Sequence, residues 1–567
     1  LSIFLEEYDS VFNHFIIKAP SRCYNDEFAR LDKKMWGVNL HIYSLRSDSN
    51  WGIGDFGDLS RFIDIMADKG CDYVSINPIH SGLIYNPDYC SPYSPSSRER
   101  LNVIYIDVDD VIRMVGSSNA NAYVMSDDFI VTKRALVEET NVQYKGVIDL
   151  KIYALKLVFS DFMVSRNTHM RSTFEMYVSD NHQSLYKSAT FDAIHDVVSS
   201  SQALVKGWFD FPEQYRNYSS ESVIKFQIDH DELIRFYMFT QWLCDLQVSH
   251  CHKKAQCKMK LGLIGDLAVA SSRFGVDRWS DNGKLCSKIS LGTPSYDGQN
   301  GQNWNLPPLN PIRMRLDSFQ YFIDLVRSNM RRFSALRIDN ISSLYKLWVT
   351  PNSGETNNGY FIQNCFDEFF AIISLESHLN KCFVIGEDIG YVPEELSLMM
   401  NKYNIYGYRI SLYDFHKLAD SESTWNLIRT HDMPTLNGFF KCCDIKSYRD
   451  DGLFSDIEFN EVLASRMKHI SELFAAIGFS VKYQCSDKTD YCYESLVGHL
   501  HSFGSSSNSN LFGFYIEDWL GMITAVNAPL SSASMTKWRV KQTVRYEELA
   551  HDLGFNKFIK TIDEARN

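Results

Sequence analysis

A chain of 567 residues with 45% hydrophobic, 14% aromatic and 22% charged residues is an ordinary globular protein, long enough for several domains or one large barrel with insertions. Its formal charge of −13 and the lack of any basic run exclude the concentrated positive surface that a nucleic-acid backbone requires. No apolar run reaches the ~18 residues of a membrane span. The thirteen cysteines include no CxxC pair, so neither a disulfide framework nor a thiolate metal site is expected, and a reducing, cytoplasmic setting is.

Residues 1–35 read as a lead-in segment, and the opening string "LSIFLEEYDS" is too acidic for a signal peptide. From there β-like strings alternate with helical patterns. Strands are predicted over 36–45, 71–79, 261–267, 333–339, 382–388, 406–413, 426–432 and 510–518. Helices are predicted over 56–70, which closes on a glycine, and over 316–331. The stretch at about 110–228 breaks this rhythm, mixing helical fragments such as 152–164 with polar joints such as 195–204, and reads as inserted helical material. An amphipathic helix over 231–258 leads back to the strand at 261. A second, largely helical insertion at about 433–509 separates the last two strands and carries the Ser-rich loop "HSFGSSSNSN". Eight strands with such crossovers predict a (β/α)₈ TIM barrel spanning 36–567 with these two insertions.

Three predicted strands finish on an acid: Asp339, Glu387 and Asp432. A barrel delivers such residues to one mouth, at the C-terminal strand ends where active sites lie. Clustered carboxylates repel and desolvate one another, so one stays protonated while another is ionised. Retaining cleavage of a glycosidic bond needs that division, with a carboxylate nucleophile and a carboxylic acid about 5 Å apart. The alternative for each acid is a helix cap or a structural ion pair, and spacing alone leaves the reaction class open. Arg337 shares a strand face with Asp339 by the period-two rule and can hold it ionised. His431, beside Asp432, can grip sugar hydroxyls or be a satisfied core histidine. Tyr43, Trp51, Tyr93, Trp304 and Phe439 lie near predicted loops as sugar platforms or simply as packing. In "CFVIGEDIG" the working acid is read as Glu387 and Asp388 as structural.

Long strings across the chain then carry a resemblance. "LHIYSLRSDSNWGIGDFGDL", "SPYSPSSRERLNVIYID", "LIGDLAV", "GQNWNLPPLNP", "ALRID", "VIGEDIGYVP" and "THDMPTLNGFF" occur in this order. The chain resembles the 4-alpha-glucanotransferases, or amylomaltases, of glycoside hydrolase family 77. The resemblance implies a barrel of the α-amylase type and transfer of α-1,4-glucan segments between maltooligosaccharides in starch, glycogen or maltodextrin metabolism, with no cofactor or metal. It implies Asp339 as nucleophile, Glu387 as general acid/base and Asp432 as transition-state stabiliser. Tyr43, Arg337 and His431 would face the sugar at the cleavage point, Trp304 and Asn527 would line further subsites, and Asp297 would be a sugar contact on a loop closing over the site. A retaining α-glucan hydrolase is the runner-up, and a noncatalytic glucan-binding barrel a more distant alternative. The sequence departs from the family pattern at Asn340, where histidine is usual, at Asn305, where glycine is, at Gln363 and Asn364, where a Tyr-Pro pair is, and at Leu530.

Overall fold

The computed structural model describes the chain except residues 1, 6–9, 14, 26–33, 87–88, 203, 296–300, 353–357, 391, 417–421, 481–491, 528–536 and 567. Asp297 and Leu530 lie outside the described residues. Its centre is an eight-stranded sheet of Met35–Leu40, Tyr73–Ile76, Gly262–Leu267, Ala335–Ile338, Phe383–Gly386, Gly407–Ile410, Thr424–Leu427 and Leu511–Tyr515. Each strand runs parallel to its neighbours in chain order, and the first pairs with the eighth. A parallel bridge between Ile385 and Tyr406 joins the fifth to the sixth and closes the ring. Nearly every strand residue is buried, as expected where side chains fill the barrel on one face and meet helices on the other. All eight predicted strands are therefore barrel strands.

The crossover helix Phe56–Asp68 starts on a capping box between Asp55 and Asp58, which satisfies its free N–H groups. It packs against Asp231–Lys258, and that helix against the long Thr168–Ser199. Tyr144–Val164 and Thr168–Ser199 are the two longest helices of the first predicted insertion, and Asp456–Ala476 and Tyr493–Ser505 lie within the second. Part of the lead-in is tied to the body: Ser374 Oγ donates to the carbonyls of Pro20 and Arg22 at 2.8 and 2.7 Å. No helix among the described residues is long and apolar enough to cross a membrane.

Three local expectations are corrected. The polar joint at 195–204 is helical as far as Ser199, because the side chains of Asp196 and His195 find partners inside the protein. Asp196 accepts from Lys156 Nζ and Tyr237 Oη at 2.7 and 2.9 Å, and His195 Nε2 meets the Val205 carbonyl at 3.0 Å. The Ser-rich loop is likewise helical to Ser505, with Ser505 Oγ donating back to Ser502 O at 3.0 Å. The helix expected over 316–331 begins only at Gln320, since Ser318 and Phe319 take left-handed φ values of 51° and 58°.

A four-stranded antiparallel sheet stands beside the barrel mouth, in the order Tyr360–Gln363, Lys346–Pro351, Ile289–Thr293 and Gln302–Asn303. It has its own small core of Ala270, Leu291, Leu306, Leu347 and Val349.

Candidate active site

Asp339 and Glu387 each follow directly on a barrel strand, as the sequence suggested. Asp432 does not. The seventh strand ends at Leu427, and His431 and Asp432 sit in a turn beyond it. The turn is anchored from below by Arg429, whose Nε meets both carboxylate oxygens of Asp518 at 2.8 Å, with neither side chain exposed. Asp518 also accepts from Leu436 N at 2.9 Å, fixing the start of the next helix. This buried ion pair ends the strand early and aims the turn across the mouth.

The fourth strand places Arg337 at the centre of the site. Its Nη1 lies 2.9 Å from Asp339 Oδ1, and 2.7 and 2.8 Å from the two oxygens of Asp266, the residue in register with it on the third strand. Its Nε donates to the Tyr408 hydroxyl at 2.8 Å, and Tyr93 Oη donates to Asp266 Oδ2 at 2.6 Å. One guanidinium thus bridges two carboxylates, in a charge-assisted network with few free degrees of motion. Burial pushes the Asp266 carboxyl up to about 6 against the pull of Arg337, so it remains a carboxylate at neutral pH. Burial also raises Asp339 above the ordinary range; Arg337 opposes the rise and Asp432 adds to it.

Glu387 is held differently. Its Oε2 accepts from Asn340 N at 2.8 Å and its Oε1 from Ile389 N at 2.9 Å. Because Asn340 is the residue after Asp339, the first of these bonds sets the two carboxyls side by side. Burial raises Glu387 to about 7, with the Asp339 charge pushing the same way and Arg337 and the two N–H donors opposing. Asp388, by contrast, turns outward from this pair and accepts from Tyr408 N at 2.6 Å, a structural bond at the start of the sixth strand.

On the opposite wall Asp432, with half of its side chain exposed, accepts from Asn527 Nδ2 at 2.7 Å and lies 3.3 Å from His431 Nε2. His431 stacks on Tyr93 with ring centroids 4.8 Å apart. Burial, then the charges of Arg337 and Arg429, hold its pKa well below the usual value, so it is neutral at pH 7. The structure therefore brings Arg337, Asp339, Glu387, His431, Asp432 and Asn527 together. Trp304 stands apart on the antiparallel sheet, its Nε1 donating to Gln302 Oε1 at 2.9 Å. Tyr43 is near the site but only 1% exposed, packed beside Trp538 at 6.4 Å. Two other expected platforms are packing residues. Trp51 is buried against Phe129 at 4.7 Å and donates to Asp109 at 3.1 Å, and Phe439 is buried beneath the Arg466 guanidinium at 3.9 Å.

Two of the departures are explained by backbone geometry. Asn340 and Asn305 have φ of 44° and 58°, a left-handed conformation that asparagine tolerates better than most side chains. Asn364, where a proline is usual, uses the N–H a proline lacks, donating to Tyr345 O at 3.0 Å.

Sequence reasoning missed Asp266, Arg429, Asp518 and Trp538. Trp538 is 2% exposed and lies 5.5 Å from the rings of both Tyr93 and His431. It is held at φ 57° by a bond from its N–H to Val526 O at 3.0 Å and one from Tyr144 Oη to its carbonyl at 2.6 Å. Register with Arg337 was the available signal for Asp266. Nothing local signals Trp538, whose role comes from a long return of the chain.

The 4-alpha-glucanotransferase family model of glycoside hydrolase family 77 matches residues 40–545. The chain belongs to the 4-alpha-glucanotransferase family. A 4-alpha-glucanotransferase of Haemophilus influenzae is 31% identical over 554 residues, covering 94% of this chain and 79% of its own length. Among solved structures, an amylomaltase from Corynebacterium glutamicum superposes with a TM-score of 0.81 at 25% identity, over 96% of this chain and 77% of its own. An amylomaltase from Streptococcus agalactiae, solved with acarbose, shares the fold with a TM-score of 0.73 at 19% identity, over 94% of this chain and 98% of its own. The 4-alpha-glucanotransferase family thus accounts for nearly the whole barrel with its helical additions.

Proposed function

We propose that this 4-alpha-glucanotransferase moves α-1,4-glucan segments from donor to acceptor maltooligosaccharides by a retaining double displacement, with Asp339 as nucleophile, Glu387 as general acid/base and Asp432 as stabiliser of the oxocarbenium-like state. The observation that carries this reading is the Asn340 N–H bond to Glu387, which sets a carboxyl raised to about 7 beside a carboxylate paired with Arg337. In the first step Asp339 attacks the anomeric carbon while Glu387 gives its proton to the departing glycosidic oxygen, and a covalent β-glucosyl ester forms. In the second, Glu387 as carboxylate takes the proton from an acceptor 4-hydroxyl, whose oxygen displaces Asp339 and restores the α-linkage. Arg337 keeps Asp339 anionic and, bridged to Asp266, is positioned before substrate arrives.

Neutral His431 and Asp432 are suited to hydroxyls of the sugar at the cleavage point, and Asn527 orients Asp432. Trp304 is suited to stacking on a ring farther along the chain, and Tyr43 to supporting the aromatic wall. Transfer instead of hydrolysis needs an acceptor held in place of water, which lined subsites achieve by proximity. We also take the helical segments as insertions on one catalytic barrel, preceded by the lead-in, and the setting as cytoplasmic, in keeping with the cysteine spacing. Incubation with maltotriose and resolution of the products tests the reaction. A ladder including maltotetraose and longer chains is expected, whereas maltose and glucose without elongation would assign a hydrolase.

A further inference from the structure

Against the Arg337–Asp266 bridge the barrel interior has a chamber of about 20 Å³, enough for one water, which needs ~10–15 Å³ and two to four polar partners. Asp266, Arg337, Tyr408 and His431 line it, and so do Asn39, His41 and Ser75. Asn39 lies on the first barrel strand, in register with Ser75 on the second and Tyr515 on the eighth. An asparagine only 3% exposed in a barrel strand is unusual, because strands disfavour it and its amide must be bonded where bulk water does not reach. Neither amide atom of Asn39 finds a partner among the described residues.

His41 is also buried, with neither ring nitrogen bonded among the described residues. Its ring stacks on Tyr515 at 5.4 Å and 16° and meets Trp538 edge to face at 5.8 Å and 78°, so it is held in place and a partner must come to it. Burial, then the charges of His431 and Arg429, hold its pKa well below the usual value, so the ring is neutral, with one nitrogen to donate and one to accept. Arg337 spends Nη1 on Asp266 and Asp339 and Nε on Tyr408, which leaves Nη2 for a further acceptor. An amide, an imidazole, a hydroxyl and a guanidinium thus gather around a volume for one water, which can donate two bonds and accept two. A polar network bonded throughout is rigid, and rigidity is what the groups around the nucleophile require.

We propose that this chamber binds one structural water, and that Asn39 is a positioning residue which, through that water, holds Arg337 against Asp339. The kinetic test rests on the transferase reading above, and the crystallographic one does not. A crystal structure that resolves ordered waters should show one within hydrogen-bond distance of Asn39 and of His41, Ser75 or Arg337, and none in Asn39→Leu, whose methyl groups fill the chamber. In Asn39→Leu kcat should fall about tenfold while the KM for maltotriose changes by less than about twofold, since a slightly misplaced guanidinium acts on the reacting state more than on binding. The acidic limb of kcat/KM reports the ionisation of Asp339, which burial disfavours, Arg337 favours and Asp432 disfavours. That limb should move up by on the order of half a pH unit, which a mere loss of folded protein would not do. Asn39→Ser, which keeps a hydroxyl and leaves room for the water, should restore the limb and most of kcat. Asn39→Val, apolar and closer to asparagine in size, serves for both measurements if the leucine variant does not fold. A wild-type chamber without water density, or an acidic limb that stays in place in the apolar variant, overturns the proposal. A wild type that never elongates maltotriose overturns the transferase reading, and the crystal structure still judges the water site.

Discussion

The Arg429–Asp518 pair beneath the His431–Asp432 turn predicts a large, pH-dependent penalty for the isosteric change Asp518→Asn. The carboxylate accepts three bonds, two from Arg429 Nε at 2.8 Å and one from Leu436 N at 2.9 Å, and both side chains of the pair are fully enclosed. An amide oxygen keeps part of this geometry but no charge, and breaking a buried pair typically costs about 3–5 kcal/mol because the remaining ion is uncompensated. A second acid limits the loss. Glu517 is buried beside Arg429 and raised to about 7, by burial first and with Arg429 opposing. With Asp518 neutral, Arg429 favours ionised Glu517 more strongly, so at pH 8 a carboxylate still faces the guanidinium, whereas at pH 5 Glu517 is protonated. Guanidinium denaturation should therefore show a destabilisation of about 3–5 kcal/mol at pH 5, smaller by on the order of 1 kcal/mol at pH 8. Because the same pair holds the turn, kcat should fall with it. A cost under about 1 kcal/mol at pH 5, or one that rises with pH, would refute this account of the anchor.

Glu387→Gln should lower kcat by about 10²–10⁴ and remove the basic limb near pH 7 from the profile of kcat/KM, a profile whose limbs belong to the coupled carboxyls together. In stability the same variant should gain on the wild type as pH rises. The folded-state pKa of about 7 lies above the unfolded 4.5, so the wild type is penalised across that window and not below it; a gap that is flat or shrinks from pH 4 to 8 would contradict the raised pKa. Asp266→Asn removes a negative charge that shares Arg337 with Asp339, so the acidic limb should move down by on the order of one pH unit, and an upward shift would count against the bridge. Asn340→Ala should destabilise by about 1–2 kcal/mol, since alanine at φ 44° is strained, while Asn340→Gly should cost less; equal effects in urea melts would show that the backbone conformation is not what selects asparagine.

The barrel was legible because each parallel strand is a short apolar run whose burial depends on the strand itself, and Asp339 and Glu387 were legible because they follow such runs directly. The seventh strand misled because "NLIRTHD" continues in apolar and β-prone residues past Leu427, while the Arg429–Asp518 contact that stops it joins residues 89 positions apart. The same distance in sequence hides Trp538, brought to His431 by a late segment bound through Val526 and Tyr144. Trp51 and Phe439 look like sugar platforms in sequence because exposure is not encoded locally, and the Asp109 and Arg466 contacts that bury them are tertiary. Asn340 and Asn305 look like losses of function until their φ values show what the positions demand.

The assignment of Asp339 as nucleophile, beside Glu387 as acid, is open to direct capture. Glu387→Gln treated with α-maltosyl fluoride, whose leaving group needs no proton, should still form the glycosyl ester but turn it over slowly without its base. Intact mass and peptide mapping should place a maltosyl adduct on Asp339, and Asp339→Asn in the same background should show none. An adduct on another carboxylate, or none at all while the wild type is active, would contradict the mechanism.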